Sequence, residues 1–404
     1  MENVTPGADA VLAPEAPGSA GTARRFPAAL LLAGSCMPVL GAVLLAPVLP
    51  AMTRDFAATP GAGLMVPVVL TLPALLIAVV SPIAGQIADK VGRKRLLLAA
   101  MIAYSVLGTA PLWLSSLPLI LASRAGVGAA EACIMTVCTT LITDYYAGKA
   151  RDRYLGLQVL VASVAATAFF ALGGVLGAQS WRAPFWLYIA AAFLAIPMAF
   201  VLWEPKRDVV KARFTPVPWR QVGIPCLVTF FGGIVFYALV VQLPYLLTNL
   251  GVNDVAVIGA GTALASVATA VGAFSFRFLA RMGPQRLLVV AFSLAAVGLV
   301  VVWVATSVTL ALVGALVTST GTGLLLPTLL TWAVSGLQLE QRGRGTGVWT
   351  GTLYVGQFIS PIVLGTGGAF MGGLQSALGA LGVLTAAAAI VAAVAARRTR
   401  RAAP

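Results

Sequence analysis

Histidine is absent from all 404 residues, and acidic side chains number 12 against 26 basic ones. Neither a histidine base nor a metal-ligand cluster is on offer, which argues against an enzyme working by acid–base or metal-assisted catalysis. Charged residues make up only 9% of the chain beside 60% hydrophobic ones. That balance excludes a water-soluble core and requires lipid as the solvent. No glycine-rich phosphate loop occurs, so direct ATP hydrolysis is not expected and no cofactor is implied. The four cysteines, Cys36, Cys133, Cys138 and Cys226, fall in apolar stretches. They lack metal-ligand spacing and read as small packing residues, with neither a disulfide nor a metal expected. The first 23 residues are rich in Ala, Pro, Gly and Glu. Without an apolar core and a small-residue cleavage site they read as a disordered cytoplasmic tail rather than a signal peptide.

What the chain has in quantity is apolar segments of about 20 residues, the length that crosses a bilayer. They are predicted at 28–50, 62–85, 96–115, 118–142, 154–178, 183–203, 221–248, 254–276, 286–306, 309–335, 345–368 and 373–396. The fold class is therefore an all-α membrane protein with twelve transmembrane helices. Basic residues gather in alternate loops: Arg24 and Arg25, then Lys90 to Arg95, Lys149 to Arg153, Lys206 to Arg220, Arg277 to Arg286, Arg342 and Arg344, and finally Arg397 to Arg401. The opposite loops offer only Arg54 and Arg182. By the positive-inside rule both termini are cytoplasmic, in a multi-pass protein of the inner (cytoplasmic) cell membrane. The net charge of +14 is explained by this topology, with lipid headgroups as partners and no nucleic acid.

An internal repeat divides the chain. Ala88-Asp-Lys-Val-Gly92-Arg-Lys-Arg-Leu96 has a counterpart in Ala280-Arg-Met-Gly283-Pro-Gln-Arg-Leu287, and Arg151-Asp-Arg153 pairs with Arg342-Gly-Arg344 at the same offset. The domains expected are a tail at 1–27, a six-helix half at 28–203, a cytoplasmic linker at 204–220, a second six-helix half at 221–396 and a basic tail at 397–404. Such a duplication places a binding site between the halves near the midplane.

Several stretches resemble the major facilitator superfamily. Gly85-Gln-Ile-Ala-Asp89-Lys90-Val-Gly92-Arg93-Lys94-Arg95 is similar to its signature between helices 2 and 3. Arg124-Ala-Gly126-Val-Gly128 resembles its helix-4 motif, Trp181-Arg182-Ala-Pro-Phe185-Trp186 resembles its turn into helix 6, and Gly41 with Pro47-Val-Leu-Pro50 at the end of helix 1 is similar to its drug:proton antiporter branch. The resemblance covers about 28–396 and points to the twelve-helix drug:proton antiporter branch, whose members move small molecules by alternating access. The branch's helix-5 motif is half missing: Gly173-Gly174 remain, but Phe169-Phe170 stand where Gly-Pro is expected and Ala165 where the first Gly is expected. That departure leaves import open beside export.

In the helix 2–3 loop, Gly85 and Gly92 permit close approach and a tight turn, while Asp89 can pair with a base or cap a helix. The resemblance implies a state-dependent latch built from Gly85, Asp89, Lys90, Gly92 and Arg93; the alternative is a hairpin whose charges only fix topology. Glu131 is the one acid predicted deep in the bundle, where an ionisable group is costly and points to function. It lies seven residues, roughly 10 Å, beyond Arg124 on helix 4, too far for a tight pair. Glu131 with Arg124 is thus the candidate for proton coupling, against a structural hydrogen bond or an anionic substrate held by Arg124. Tyr237, Gln242, Tyr245, Trp332, Tyr354 and Gln357 lie on helices that line the cavity in the superfamily and are candidates for substrate contact, with ordinary packing as the alternative. Two functions compete: a proton-coupled exporter of apolar or amphipathic small molecules, acting as a monomer with protons and substrate as partners, and an importer or facilitator of a specific small metabolite, an anionic one where Arg124 is what holds it.

Overall fold

The computed structural model describes residues 25–205 and 218–401. The predicted tail up to residue 24, the centre of the predicted linker and the last three residues lie outside the described residues. Among the described residues, twelve helices are long and apolar enough to cross a membrane: α1 (Arg25–Asp55), α2 (Ala62–Val91), α3 (Arg93–Leu112), α4 (Leu117–Tyr145), α5 (Gly148–Gly177), α6 (Ala183–Val201), α7 (Trp219–Asn249), α8 (Val255–Met282), α9 (Pro284–Trp303), α10 (Val308–Ser335), α11 (Gln341–Met371) and α12 (Leu374–Arg397). No strand is present among the described residues. Every predicted segment coincides with one of these helices. Several run further than predicted, because charged and polar residues at their ends continue the backbone ladder beyond the apolar stretch; α12 stays helical through the basic residues to Arg401.

Proline and glycine shape this scaffold. The first helix is broken, with a turn at Ser35–Cys36 and a 3-10 segment at Ala46–Val48. Its ladder runs to Leu44, whose N–H donates to Leu40, and Pro47 has no N–H to continue it. At the repeat, Gly92 (φ +107°) and Gly283 (φ +80°) each precede a helix, α3 and α9. Both occupy backbone space that side chains rarely enter, so the paired glycines do the same job in the two halves.

The halves meet through α1 against α7, α2 against α11, and α5 against α8. At the end carrying the α1–α2 turn, the hydroxyls of Thr53 and Tyr245 lie 2.8 Å apart. Gly174 and Gly259 bring α5 and α8 into backbone contact, a Cβ at Gly174 falling 2.7 Å from the Gly259 Cα. Gly173 packs as closely on the Leu44 carbonyl. The surviving half of the helix-5 motif is therefore the half on which backbones touch. Nearer the middle, Thr167 and Ser266 hydroxyls are 3.1 Å apart.

Candidate functional site

The broken first helix supplies the site's frame. Beyond the end of its ladder, the carbonyl of Gly41 accepts from Arg124 Nη2 at 3.4 Å, and that of Ala42 accepts from the Tyr237 hydroxyl at 2.6 Å. One turn earlier the Met37 carbonyl accepts from Tyr104 at 2.6 Å. Each carbonyl finds a side chain from a different helix, as buried backbone groups must find partners.

Arg124 and Glu131 are 0% and 1% exposed. They form no direct ion pair, as the seven-residue spacing predicts. The Arg124 guanidinium instead spans two helices, donating from Nε to the Val69 carbonyl at 3.3 Å as well as to Gly41, and its Cζ sits 5.0 Å from the centre of the Tyr188 ring. Tyr188 in turn packs on Tyr104, ring centres 5.0 Å apart. This aromatic cradle was not legible in the sequence, since Tyr104 and Tyr188 lie far from Arg124 along the chain and match no motif. Arg124 Nη1 is left without a partner among the described residues, and Glu131 shares that condition. Its Oε1 is buried with no hydrogen-bond partner among the described residues, and a Cβ at Gly41 would overlap its carboxylate. Gly41 thus separates cation from anion, giving its carbonyl to one and its missing side chain to the other.

The second half approaches this carboxylate with two of the predicted contact residues. Tyr237 holds Ala42, next to Gly41, and the Tyr354 hydroxyl lies 3.7 Å from the sulfur of Met135, one turn along α4 from Glu131. The other candidates sit elsewhere. Tyr245 bonds to Thr53 at the α1–α2 end, while Gln242 and Gln357 are buried in α7 and α11. Trp332 packs against the apolar cluster of α9, α10, α11 and α12, within its own half.

At the opposite end the predicted latch takes an unforeseen form. Glu204, just past α6, caps α3: its carboxylate accepts from the backbone N–H of Arg93 at 2.6 Å and of Lys94 at 3.1 Å. An acid at a helix start satisfies free N–H groups and favours the dipole. Asp89 does not cap; 69% exposed, it lies 3.5 Å from the guanidinium of Arg93, which also pairs with Asp144 of α4. The acids of this cluster come from α2, α4 and the residues just past α6, and Asp144 and Glu204 were missed because only the fold brings them to the Gly92 turn. Gly85 meets nothing within 4 Å of an added Cβ, so no close approach is made there in this conformation.

Comparison with known proteins agrees with this architecture. The sequence model described as Major Facilitator Superfamily matches residues 31–335 and 225–404. Among curated relatives, the class C tetracycline resistance protein of Escherichia coli is 32% identical over 170 residues, 41% of each chain. The quinolone resistance protein NorA of Staphylococcus aureus is 25% identical over 198 residues, 47% of this chain and 50% of that protein. The matches thus span half the length of these relatives or less. In fold, a bacterial homologue of the human lysosomal transporter Spinster, in an inward-facing and occupied conformation, superposes with a TM-score of 0.81 over 94% of this chain and 98% of that one, at 18% identity.

Proposed function

Because the chain belongs to the Major Facilitator Superfamily, and so is a multi-pass membrane transporter and not an enzyme, we propose that it is a proton-coupled exporter of apolar or amphipathic small molecules, with Glu131 as the proton carrier. The observation that carries this reading is the Glu131 carboxyl, its Oε1 buried with no hydrogen-bond partner among the described residues, beside the contacts that Tyr237 and Tyr354 of the second half make. An unpaired charge there is costly, so gaining and losing a proton changes the energy of the packing around Gly41, Tyr237 and Met135. A group whose charge alters the fit between the halves biases alternating access, since a ligand shifts a conformational equilibrium only through its differential affinity for the two states. Arg124 holds α1, α2 and α4 together beside this carboxyl and tunes it from a distance. The names of the relatives, resistance proteins for tetracycline and quinolones, support export and cargo of that amphipathic kind. The anion-importer reading loses support, because the guanidinium it relies on is fully buried and gives its Nε and Nη2 to backbone carbonyls, leaving only Nη1 without a partner among the described residues.

In the same reading the protein sits in the inner membrane as a monomer, with its termini and the 88–95 loop in the cytoplasm and the Thr53–Tyr245 contact closing the outer side. The charged cluster around Gly92 then acts as the latch that holds or releases the cytoplasmic end.

The test is transport by the reconstituted protein with tetracycline and a fluoroquinolone as probes, with and without an imposed proton gradient. Wild type should accumulate a probe against its gradient, and Glu131→Gln should exchange it without accumulating it. One charge moved through 100 mV is worth about 2.3 kcal/mol, roughly 50-fold in concentration. The Gln variant should also lose the pH dependence of transport, its titrating group being gone. Undiminished accumulation with an unchanged pH profile would make Glu131 structural.

A further inference from the structure

Below Glu131 on α4, a neutral hydrogen-bonding patch is assembled from three helices. Gln158 of α5 donates from Nε2 to the Ser35 hydroxyl of α1 at 2.8 Å and to the Thr139 hydroxyl of α4 at 3.1 Å. Ser35 spends its own proton on the Leu31 carbonyl at 2.8 Å, and Thr139 spends its proton on the Met135 carbonyl at 3.0 Å. Both hydroxyls can therefore only accept, which fixes the amide with its nitrogen toward them. Every donor in the patch is used. The Gln158 amide oxygen has no partner among the described residues, and all three side chains are half-exposed.

The patch continues the sides of α1 and α4 that carry contacts from the second half. On α4, Thr139 follows Met135 by one turn on the same face, and Met135 is the residue that Tyr354 of the second half touches. That face, Met135, Thr136, Thr139 and Thr140, is half-exposed, whereas Ile134, Val137 and Leu141 on the other side are buried. On α1, Ser35 shares a half-exposed stripe with Val39 and Ala42, and Ala42 is the residue that Tyr237 holds. Two helices thus turn the same faces to the second half, and the amide oxygen of Gln158 stands between them.

We propose that Ser35, Thr139 and Gln158 form a substrate subsite that recognises a hydrogen-bond donor, an N–H or O–H group on an otherwise apolar molecule. The two hydroxyls hold the amide so that its oxygen, an acceptor only, points to the cargo. This subsite rests on the exporter reading and narrows its substrate class: it favours donor-bearing amphipathic molecules over equally apolar ones without a donor. Eight residues of helix separate Thr139 from Glu131, about 12 Å, so one cargo can reach the subsite without covering the carboxyl.

The test uses two lipophilic cations, ethidium, which carries aryl N–H donors, and tetraphenylphosphonium, which carries none. Binding to purified full-length wild type, Gln158→Leu and Thr139→Val is measured beside the thermal melt of each. Gln158→Leu should weaken ethidium about tenfold, the range of one hydrogen bond, and leave tetraphenylphosphonium within about twofold. Thr139→Val should give a smaller loss of the same selectivity, since it frees the amide to turn. Equal losses for both probes, or none for either, in variants that melt like wild type would overturn the subsite while leaving the exporter reading intact. Selective loss that tracks a lowered melt in Gln158→Leu but is absent from a normally melting Thr139→Val would also overturn it. Failure of wild type to bind either cation would remove the subsite and the amphipathic-cargo reading together.

Discussion

The two copies of the fourth helix of each half, α4 and α10, share a backbone plan and differ in charge. Gly283 follows Gly92, and Val308 at the start of α10 follows Leu117 at the start of α4, by the same interval: 283 minus 92 and 308 minus 117 are both 191. Carried along the helices, that interval sets Ala315 opposite Arg124 and Thr322 opposite Glu131. Ala315 and Thr322 are buried too, but Thr322 satisfies itself on the Ser319 carbonyl at 3.1 Å. The only buried charges among the described residues, Arg124 and Glu131, are both in α4. A duplicated helix that packs without them shows that the scaffold does not require them, which is why a functional reading of the pair is preferred over a structural one.

Removing the cation should show the largest effect on stability. Arg124→Ala, which makes α4 resemble α10, strands the Val69 carbonyl and opens a cavity beside Tyr188; the expected cost is about 3 kcal/mol, read by chemical unfolding in mixed micelles. A loss under about 1 kcal/mol would mean that the cradle does not depend on the guanidinium.

Next in size is Gly41→Ala. Its new Cβ falls on the Glu131 carboxylate, and overpacking of this kind costs about 1–3 kcal/mol. Proton-driven transport should slow by about tenfold, whereas Gly156→Ala, which meets nothing within 4 Å, should transport normally. Equal rates for the two variants would detach Gly41 from the site.

The loops at Gly92 and Gly283 give a smaller contrast, because the first has an acidic cluster and the second has Ala280 where Asp89 stands. Glu204→Gln should destabilise by about 1 kcal/mol, the range of a lost cap. Asp89→Asn should slow turnover more than it weakens equilibrium binding, since a latch biases conformations without touching cargo. Transport kinetics and binding measured on the same preparation check this; normal turnover would leave Asp89 with no latch role.

The smallest effect is expected from Tyr354→Phe, which loses only a weak contact to the Met135 sulfur. Binding should change by less than about threefold, and less than in Tyr237→Phe, which leaves the Ala42 carbonyl without its donor.

Sequence alone determined the membrane-spanning helices, because crossing lipid imposes a length and an apolar composition that a single strand of residues displays openly. It also singled out Glu131, since one acid within an apolar segment is conspicuous before any folding. The partners of that acid were decided by the tertiary structure. Tyr104 and Tyr188 around Arg124, Glu204 on the start of α3, and Gln158 between Ser35 and Thr139 lie 19 to 123 residues from the groups they touch where hydrogen bonds join them. They come together only when helices pack. The break in α1 belongs to both: Pro47 announces it in the sequence, but which side chains reach the freed carbonyls of Gly41 and Ala42 depends on how α4 and α7 lie against it, and packing geometry of that kind has no periodic signature in one chain.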